Sequence, residues 1–350
     1  MIHDRIRRAR LLRGLSLDAV AQRVGDITKQ GLSKFEKGDA TPNSTRLLQL
    51  AKALEVKPEY FFRPDAVQLA PLEFRKLASM PQKRQHQVGE QMRDHLERYI
   101  SLERCFEVDG ETTPLEPPRS FTVNNVAEAE QAAESLRARW NLGGDAIAHL
   151  TELLEEHGIK VALLDEQDGF DGACAATECE QHVLFALNQN RPGERLRFTA
   201  AHELGHWVMA LPDNMPEKEK EACCNRFAGA FLYPQARVLA EFGAHHRHRV
   251  LAAELLNAKR RHGISMALAL RRLKDLNLLT ETGYQAMNIQ FSTQGWRRSE
   301  PEPLLPEQPR RFESLVYRAL AEDLISLPRA AELMQCAVAD LDPGLTQLPH

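Results

Sequence analysis

The sequence predicts an α+β chain of 350 residues that is mostly α. Three observations lead there. The first 63 residues carry five short helical patterns in succession, each marked off by cap or turn residues. Apolar runs of strand length fall between residues 159 and 187, so a small sheet is expected. Directly after them, Arg195–Ala210 (RLRFTAAHELGHWVMA) reads as a helix carrying His202, Glu203 and His206 in the pattern His-Glu-x-x-His. Helical patterns resume after residue 243.

Hydrophobic residues make up 43% of the chain, enough for the cores of two or three domains. No run approaches the ~20 apolar residues of a membrane span. The start, MIHDRIRRARLLRG, is charged throughout and lacks the apolar stretch of an export signal. The six cysteines form no Cys-x-x-Cys pair, so reduced thiols in a cytoplasmic protein are expected. Charge is uneven. Residues 1–63 hold 13 lysines and arginines against 7 acids, a net of +6, and since the whole chain is −4 the remaining 287 residues carry −10. A basic head on an acidic body points to a polyanion met by the head alone.

Within that head, Ile2–Arg13 places Ile6, Ala9 and Leu12 on one stripe. Ser16 fits the N-cap of Leu17–Val24, with Leu17, Val20, Ala21 and Val24 inward, and Gly25-Asp26 makes the turn. Thr28 caps a third helix, Lys29–Lys37, and Gly38 ends it. Pro42-Asn43-Ser44 leads into Thr45–Leu54, and Pro58 opens a short last helix to Phe62.

The string LSKFEKG followed by P-x-x-x-x-L-x-x-L-A-x-A-L resembles the Cro/lambda-repressor (XRE) type of helix-turn-helix domain over residues 1–63. The resemblance implies a five-helix DNA-binding domain whose third helix enters the major groove of an operator. On this chain that helix starts after Thr28 and would present Lys29, Gln30, Ser33 and Lys34. Gln pairs with adenine edges, and Lys with guanine or phosphate. Asn43, Ser44 and Thr45 open the next helix and are candidates for a phosphate contact. Leu17 stands where the family often has a polar residue, which weakens one expected phosphate contact. Gly31 in the third helix costs about 1 kcal/mol relative to Ala, and the turn before that helix is one residue longer than the commonest form.

Residues 64–108 form a connector. Pro64–Pro71 loosens the pattern, and Gln82–Phe106 then reads as a long helix with Val88, Met92, Leu96, Tyr99, Leu102 and Phe106 on one stripe. A single stripe needs a partner: a second copy of the chain, giving a homodimer on paired half-sites, or the body of its own chain. Residues 109–125, with three prolines and little periodicity, read as a linker.

The body spans residues 126–242. Val126–Trp140 and Ala146–His157 read as helices, Ile159–Leu164 as a strand, and Ala173–Thr177 and His182–Leu187 as further strands, with turns near Asp168-Gly169 and Cys179-Glu180. A small sheet beside the His-Glu-x-x-His helix gives an extended peptide an edge to join. Residues four apart on a helix share a face, so His202 and His206 can reach one metal ion while Glu203 touches a water on it. The same four-letter core also fits a buried helix with two incidental histidines. A third ligand is available in Glu221, at the start of the helical run EACCNRFAGAFL, where an acid is also common for helix-dipole reasons. Asn225, one turn on, can hold a ligand histidine by a hydrogen bond.

RFTAAHELGHWVM followed by E-x-x-x-N-RFAGAFLYP resembles the ImmA/IrrE family of zinc metallopeptidases, over roughly residues 126–233. That family is linked to the removal of helix-turn-helix repressors, so the resemblance implies a zincin-like domain, a bound Zn2+ and a repressor-like protein substrate. Its ligand roles fall on His202, His206 and Glu221, and its general base on Glu203. Cys224 stands where relatives usually show Ala. Tyr233 and His245–His248 are candidates for a second electrophile, and each also fits an ordinary core or surface position.

Residues 243–350 read as a helical extension without visible chemistry. Val250–Leu278 gives two helices, Gln290–Pro309 is irregular, and Phe312–Leu341 gives two more. The expected function is a DNA-binding transcriptional regulator that is also a zinc-dependent endopeptidase. The alternative is a DNA-binding regulator, or an antitoxin-like protein, whose metal site is structural or sensory.

Overall fold

Side-chain caps set the first helices. α1 (Ile2–Leu12) leads into α2 (Leu17–Val24), which starts where Ser16 Oγ accepts from the backbone N–H of Ala19 at 3.1 Å. α3 (Lys29–Lys37) starts where Thr28 Oγ1 accepts from Gly31 N–H at 3.1 Å, and it ends at Gly38 in the left-handed region. α4 (Ser44–Leu54) starts where Asn43 Oδ1 accepts from Arg46 N–H at 2.8 Å. The expected short fifth helix is a 3-10 helix, Pro58–Phe62, with Pro58 at its first position. Gly31 has a packing reason: a Cβ there would lie 3.2 Å from Ile27 Cγ1. This computed structural model describes residues 1–63, 67–70, 80–106, 113–166 and 169–341. Connector residues 64–66, 71–79 and 107–108, linker residues 109–112, Asp168 of the expected turn, and residues 342–350 lie outside the described residues.

α5 (Gln82–Glu103) is the long connector helix. β1 (Phe121–Thr122), α6 (Val126–Arg139), α7 (Leu150–Glu156), β2 (Ile159–Leu164), β3 (Gly172–Ala176), β4 (Val183–Asn188), α8 (Gly193–Val208) and β5 (Met209–Ala210) follow. The three-stranded sheet has the order β2-β4-β3, and all six residues of the central strand β4 are buried. Between β3 and β4 the chain turns at Glu180, whose φ is 54° and whose N–H reaches Thr177 O at 2.8 Å. β1 pairs in parallel with β5, Phe121 opposite Met209. The described part of the expected linker is therefore ordered backbone. Glu116 N–H donates to His157 O at 3.0 Å, Arg119 N–H to Trp207 O at 2.8 Å and Val123 N–H to Ala210 O at 3.1 Å. Prolines suggested a linker here, but Glu116 between them and Arg119 and Val123 after them supply the donors.

The chain continues through α9 (Glu217–Leu232), α10 (Gln235–Phe242), α11 (Ala252–His262), α12 (Met266–Asp275), α13 (Glu281–Thr293), α14 (Arg311–Ala321) and α15 (Leu327–Leu333). α9 starts behind Pro216, one turn earlier than expected, so Glu221 lies in its second turn and not at its end. α13 corrects the irregular reading at Gln290: Thr280 Oγ1 caps it, accepting from Gly283 N–H at 3.2 Å, and it runs to Thr293.

These elements form two compact units. One holds Met1–Thr112, Ala175–Leu184 and Arg310–His350; the other holds Thr113–Cys174 and Phe185–Pro309. In the first, Ile6, Val20, Leu32, Leu50, Leu54 and Phe61 build the core of the head. The apolar stripe of α5 is buried, and α5 packs against α1 and α14. Leu102 and Phe106 join Val316, Ala319, Ala330 and Leu333 in one cluster. The stripe is thus covered by the head and by the chain's own last helices, a cover absent from the two readings of the sequence. Buried ion pairs reinforce it. Glu97 accepts from Arg5 at 2.5 Å and Arg8 at 3.0 Å, while Arg63 reaches Asp94 at 3.0 Å and Glu332 at 2.7 Å. Residues 68–70 run beside the β3–β4 turn, with Ala70 N–H on Ala176 O at 2.9 Å.

In the second unit α9 packs against α6, α8 and α12. The expected C-terminal extension therefore divides: α11–α13 belong to this unit, α14 and α15 to the first. Residues 300–309 strap the start of α8. Gly193 N–H donates to Leu304 O at 2.8 Å, Leu304 N–H to Glu194 at 2.9 Å, and Arg197 pairs with Glu307. No helix among the described residues is long and apolar enough to cross a membrane.

Candidate metal centre and nucleic-acid face

α8 and α9 approach closely because their contact residues are small. A Cβ at Gly205 would come within 3.0 Å of Phe227 Cδ1, so a larger residue there would push the helices apart. Ala200 and Ala201 are fully buried on α8, and Ala228 and Ala230 on α9. Two arginines, Arg272 fully buried and Arg226 half-buried, fix α12 and α9 to α6. Glu130 accepts from Arg272 Nη1 at 2.8 Å, and Arg226 of α9 reaches the same carboxylate.

This packing brings three sequence-predicted residues together. His202 and His206, one turn apart on α8, place their Nε2 atoms 3.1 Å apart. Glu221 of α9 sets one carboxylate oxygen 3.2 Å from His202 Nε2 and the other 3.3 Å from His206 Nε2. The donor set suits zinc. Tetrahedral ligands at ~2.0–2.1 Å from a zinc ion stand roughly 3.3 Å apart, and the three separations here fall close to that. His202 Nδ1 lies 3.1 Å from Asn225 Oδ1, which only accepts. The proton therefore sits on Nδ1, and Nε2 offers its lone pair toward His206 and Glu221. All three candidate ligands are half-buried. The adjacent imidazoles, His202 and then His206, hold the Glu221 carboxyl well below the usual carboxylate range. The site is thus built to keep an anionic oxygen and two imidazole nitrogens facing one point.

Glu203 is buried, at 2% exposure, beside His202 on α8. Tyr233 and His246 are engaged with other groups. The Tyr233 hydroxyl donates to Glu241 at 2.7 Å, and burial together with that carboxylate pushes its pKa up. Glu241 also receives His262 Nε2 at 2.8 Å. His245, His246 and His248 are exposed, with His246 Nδ1 held 2.7 Å from Asn277 O. Sequence reasoning missed the buried charges that hold α8: Lys259 bridges Glu194 at 2.5 Å and Glu300 at 3.1 Å. The signal was present, because Glu194 and Arg197 interrupt the apolar face of α8.

On the head, Lys29, Gln30 and Lys34 are exposed along α3, and Ser33 is half-buried. Lys29 forms an ion pair with Asp18 at 2.7 Å. Thr28 and Asn43 spend their side-chain oxygens on caps, leaving Asn43, Ser44 and Thr45 exposed at the start of α4.

Comparison with known proteins finds two separate matches along the chain. Residues 6–61 match the helix-turn-helix family, and residues 154–274 match the IrrE N-terminal-like domain, a peptidase M78 family. Two proteins of Sinorhizobium fredii (strain NBRC 101917 / NGR234) are similar to part of the chain. One, named an uncharacterized HTH-type transcriptional regulator y4aM, is 41% identical over 66 residues, 18% of this chain and 46% of that protein. The second, y4wC, bears the same kind of name and is 38% identical over 61 residues, 17% and 42% of the two chains. The chain thus spans under half the length of the curated relatives it matches.

Proposed function

Since the chain joins a helix-turn-helix domain to an IrrE N-terminal-like domain of the M78 peptidase type, we propose that it is a DNA-binding transcriptional regulator carrying a zinc-dependent endopeptidase. The observation that carries the peptidase half is the convergence of His202, His206 and Glu221 on one point, with His202 oriented by Asn225. Those residues would hold the ion. A bound zinc would supply a Lewis acid that acidifies a water and polarises a peptide carbonyl. Glu203 takes the proton of the attacking water and passes it to the departing amine. Its burial keeps that carboxylate out of bulk water, where a proton taken from the nucleophile would be lost. The substrate is a repressor-like protein whose cleaved segment binds in extended form. α3 supplies sequence readout through Gln30, Ser33 and Lys34, with Thr28 and Lys29 at its start and Asn43, Ser44 and Thr45 on the backbone. Six free cysteines accord with a cytoplasmic location.

The test compares wild type with Glu203→Gln. Both proteins are loaded with zinc and incubated with a lysate, and new peptide N-termini are read by mass spectrometry. Wild type should generate a small reproducible set and Glu203→Gln none, with equal zinc content. Equal N-termini from both proteins would remove the base role. No new termini from either would favour a structural or sensory metal. Selection from a random duplex library gives the operator independently.

A further inference from the structure

We infer that the DNA-binding face extends beyond the helix-turn-helix domain onto the first turn of α5, where Lys83 contacts a backbone phosphate. This inference rests on the DNA-binding reading above. A recess of about 340 Å3 opens on the first unit, lined by Arg10, Gly14, Ser16, Asp18, Lys29 and Lys83. Three of these are cations, and two are already neutralised. Arg10 holds both oxygens of Glu36, Nε to Oε1 at 2.6 Å and Nη2 to Oε2 at 2.7 Å. Lys29 holds Asp18 at 2.7 Å. Lys83 is exposed, and among the described residues it has neither a hydrogen bond nor an ion pair. The recess therefore carries one unspent positive charge, and it comes from outside residues 6–61.

Its position suits a phosphate of the strand that flanks the groove read by α3. Ser16 and Asp18 bracket the start of α2, and Lys29 is the first residue of α3, so the recess lies at the foot of the helix that presents Gln30 and Lys34. Leu17, at the start of α2, offers that phosphate no polar side chain. The start of α5 is held in place rather than trailing. The Gln87 side chain fills the space that a Cβ at Gly14 would need, and Arg84 donates to its Oε1 at 2.7 Å. Gly14 itself has φ of +60°, a second reason for glycine there. A lysine so placed adds affinity without reading sequence.

The experiment measures binding of the full chain to a fluorescein-labelled random-sequence duplex of about 30 base pairs, by anisotropy from 50 to 300 mM NaCl. Lys83→Gln, Lys83→Arg and Lys57→Gln are compared with wild type; Lys57 is an exposed lysine outside the recess. Each phosphate contact contributes a slope of about 0.9 in log affinity against log salt. Lys83→Gln should therefore lower the slope by about 0.9. With the lines meeting near 1 M salt, that is about eightfold weaker binding at 0.1 M. Lys83→Arg should keep the wild-type slope, and Lys57→Gln should leave it unchanged. Circular dichroism confirms that each variant is folded. A Lys83→Gln slope equal to wild type, or an equal loss in Lys57→Gln, overturns the inference while leaving DNA binding intact. Failure of wild type to bind the duplex at 50 mM NaCl removes the DNA-binding reading, and the inference with it.

Discussion

Asn225→Ala tests how the metal centre is held. Asn225 Oδ1 lies 3.1 Å from His202 Nδ1 and fixes both the tautomer and the ring orientation. Without that acceptor the imidazole is free to rotate and to carry its proton on Nε2, the atom that must bind. Loss of such an orienting partner weakens metal affinity by about 10- to 100-fold, or ~1.4–2.7 kcal/mol. The Asn225 side chain is exposed, so truncation opens no cavity and should leave the fold intact. The assay is zinc competition against a chromophoric chelator for wild type, Asn225→Ala and Asn225→Asp. The aspartate accepts a charge-assisted bond and should restore affinity to at least the wild-type level. Asn225→Ala binding zinc as tightly as wild type would refute the tautomer argument. So would equal weakening in Asn225→Asp.

Two further outcomes follow from buried charge. Glu130→Gln leaves Arg272, fully buried, without its carboxylate, and should destabilise the second unit by about 3–5 kcal/mol. Trp140, Trp207 and Trp296 all belong to that unit, so tryptophan fluorescence in urea reads it alone; an unchanged midpoint would show that Arg272 has another counter-ion. In the first unit, burial and then the neighbouring Arg98 depress the His95 pKa to about 3. Its contribution to stability is complete above the unfolded value of ~6.5 and is lost as pH falls from there toward 3, by up to about 1.4 kcal/mol per pH unit. Hydrogen exchange across α5 should therefore accelerate between pH 6 and 4, after correction for intrinsic rates, and less so in His95→Gln. Equal acceleration in both proteins would assign the effect to other groups.

Local chemistry made much of this chain legible. Ser16, Thr28 and Asn43 marked helix starts because a side-chain oxygen satisfies an otherwise free N–H, and Gly38 marked an end because it takes φ of +81°. Ile159–Leu164 stood out as an apolar strand, buried at every position but Leu163. His202, His206 and Glu221 were readable because two helices carrying ligands at fixed spacings need only pack to form a site. Long-range partnership was not legible. The stripe of α5 called for a cover, but nothing local in Val316 or Ala330 says that they supply part of it. Glu116, among prolines, looked like linker, yet its carboxylate receives Trp140 Nε1 at 2.9 Å and its carbonyl receives Trp207 Nε1 at 2.8 Å. α13 escaped notice because its buried residues are only Gly283, Met287 and Phe291, a narrow stripe with one member lacking a side chain.

The most direct test of the three-ligand zinc site is diffraction from crystals of the full chain on both sides of the zinc absorption edge. The account predicts one zinc peak about 2.0–2.1 Å from His202 Nε2, His206 Nε2 and a Glu221 oxygen, with the fourth position taken by water. A peak closed by a fourth protein side chain, or zinc bound away from these residues, would contradict it.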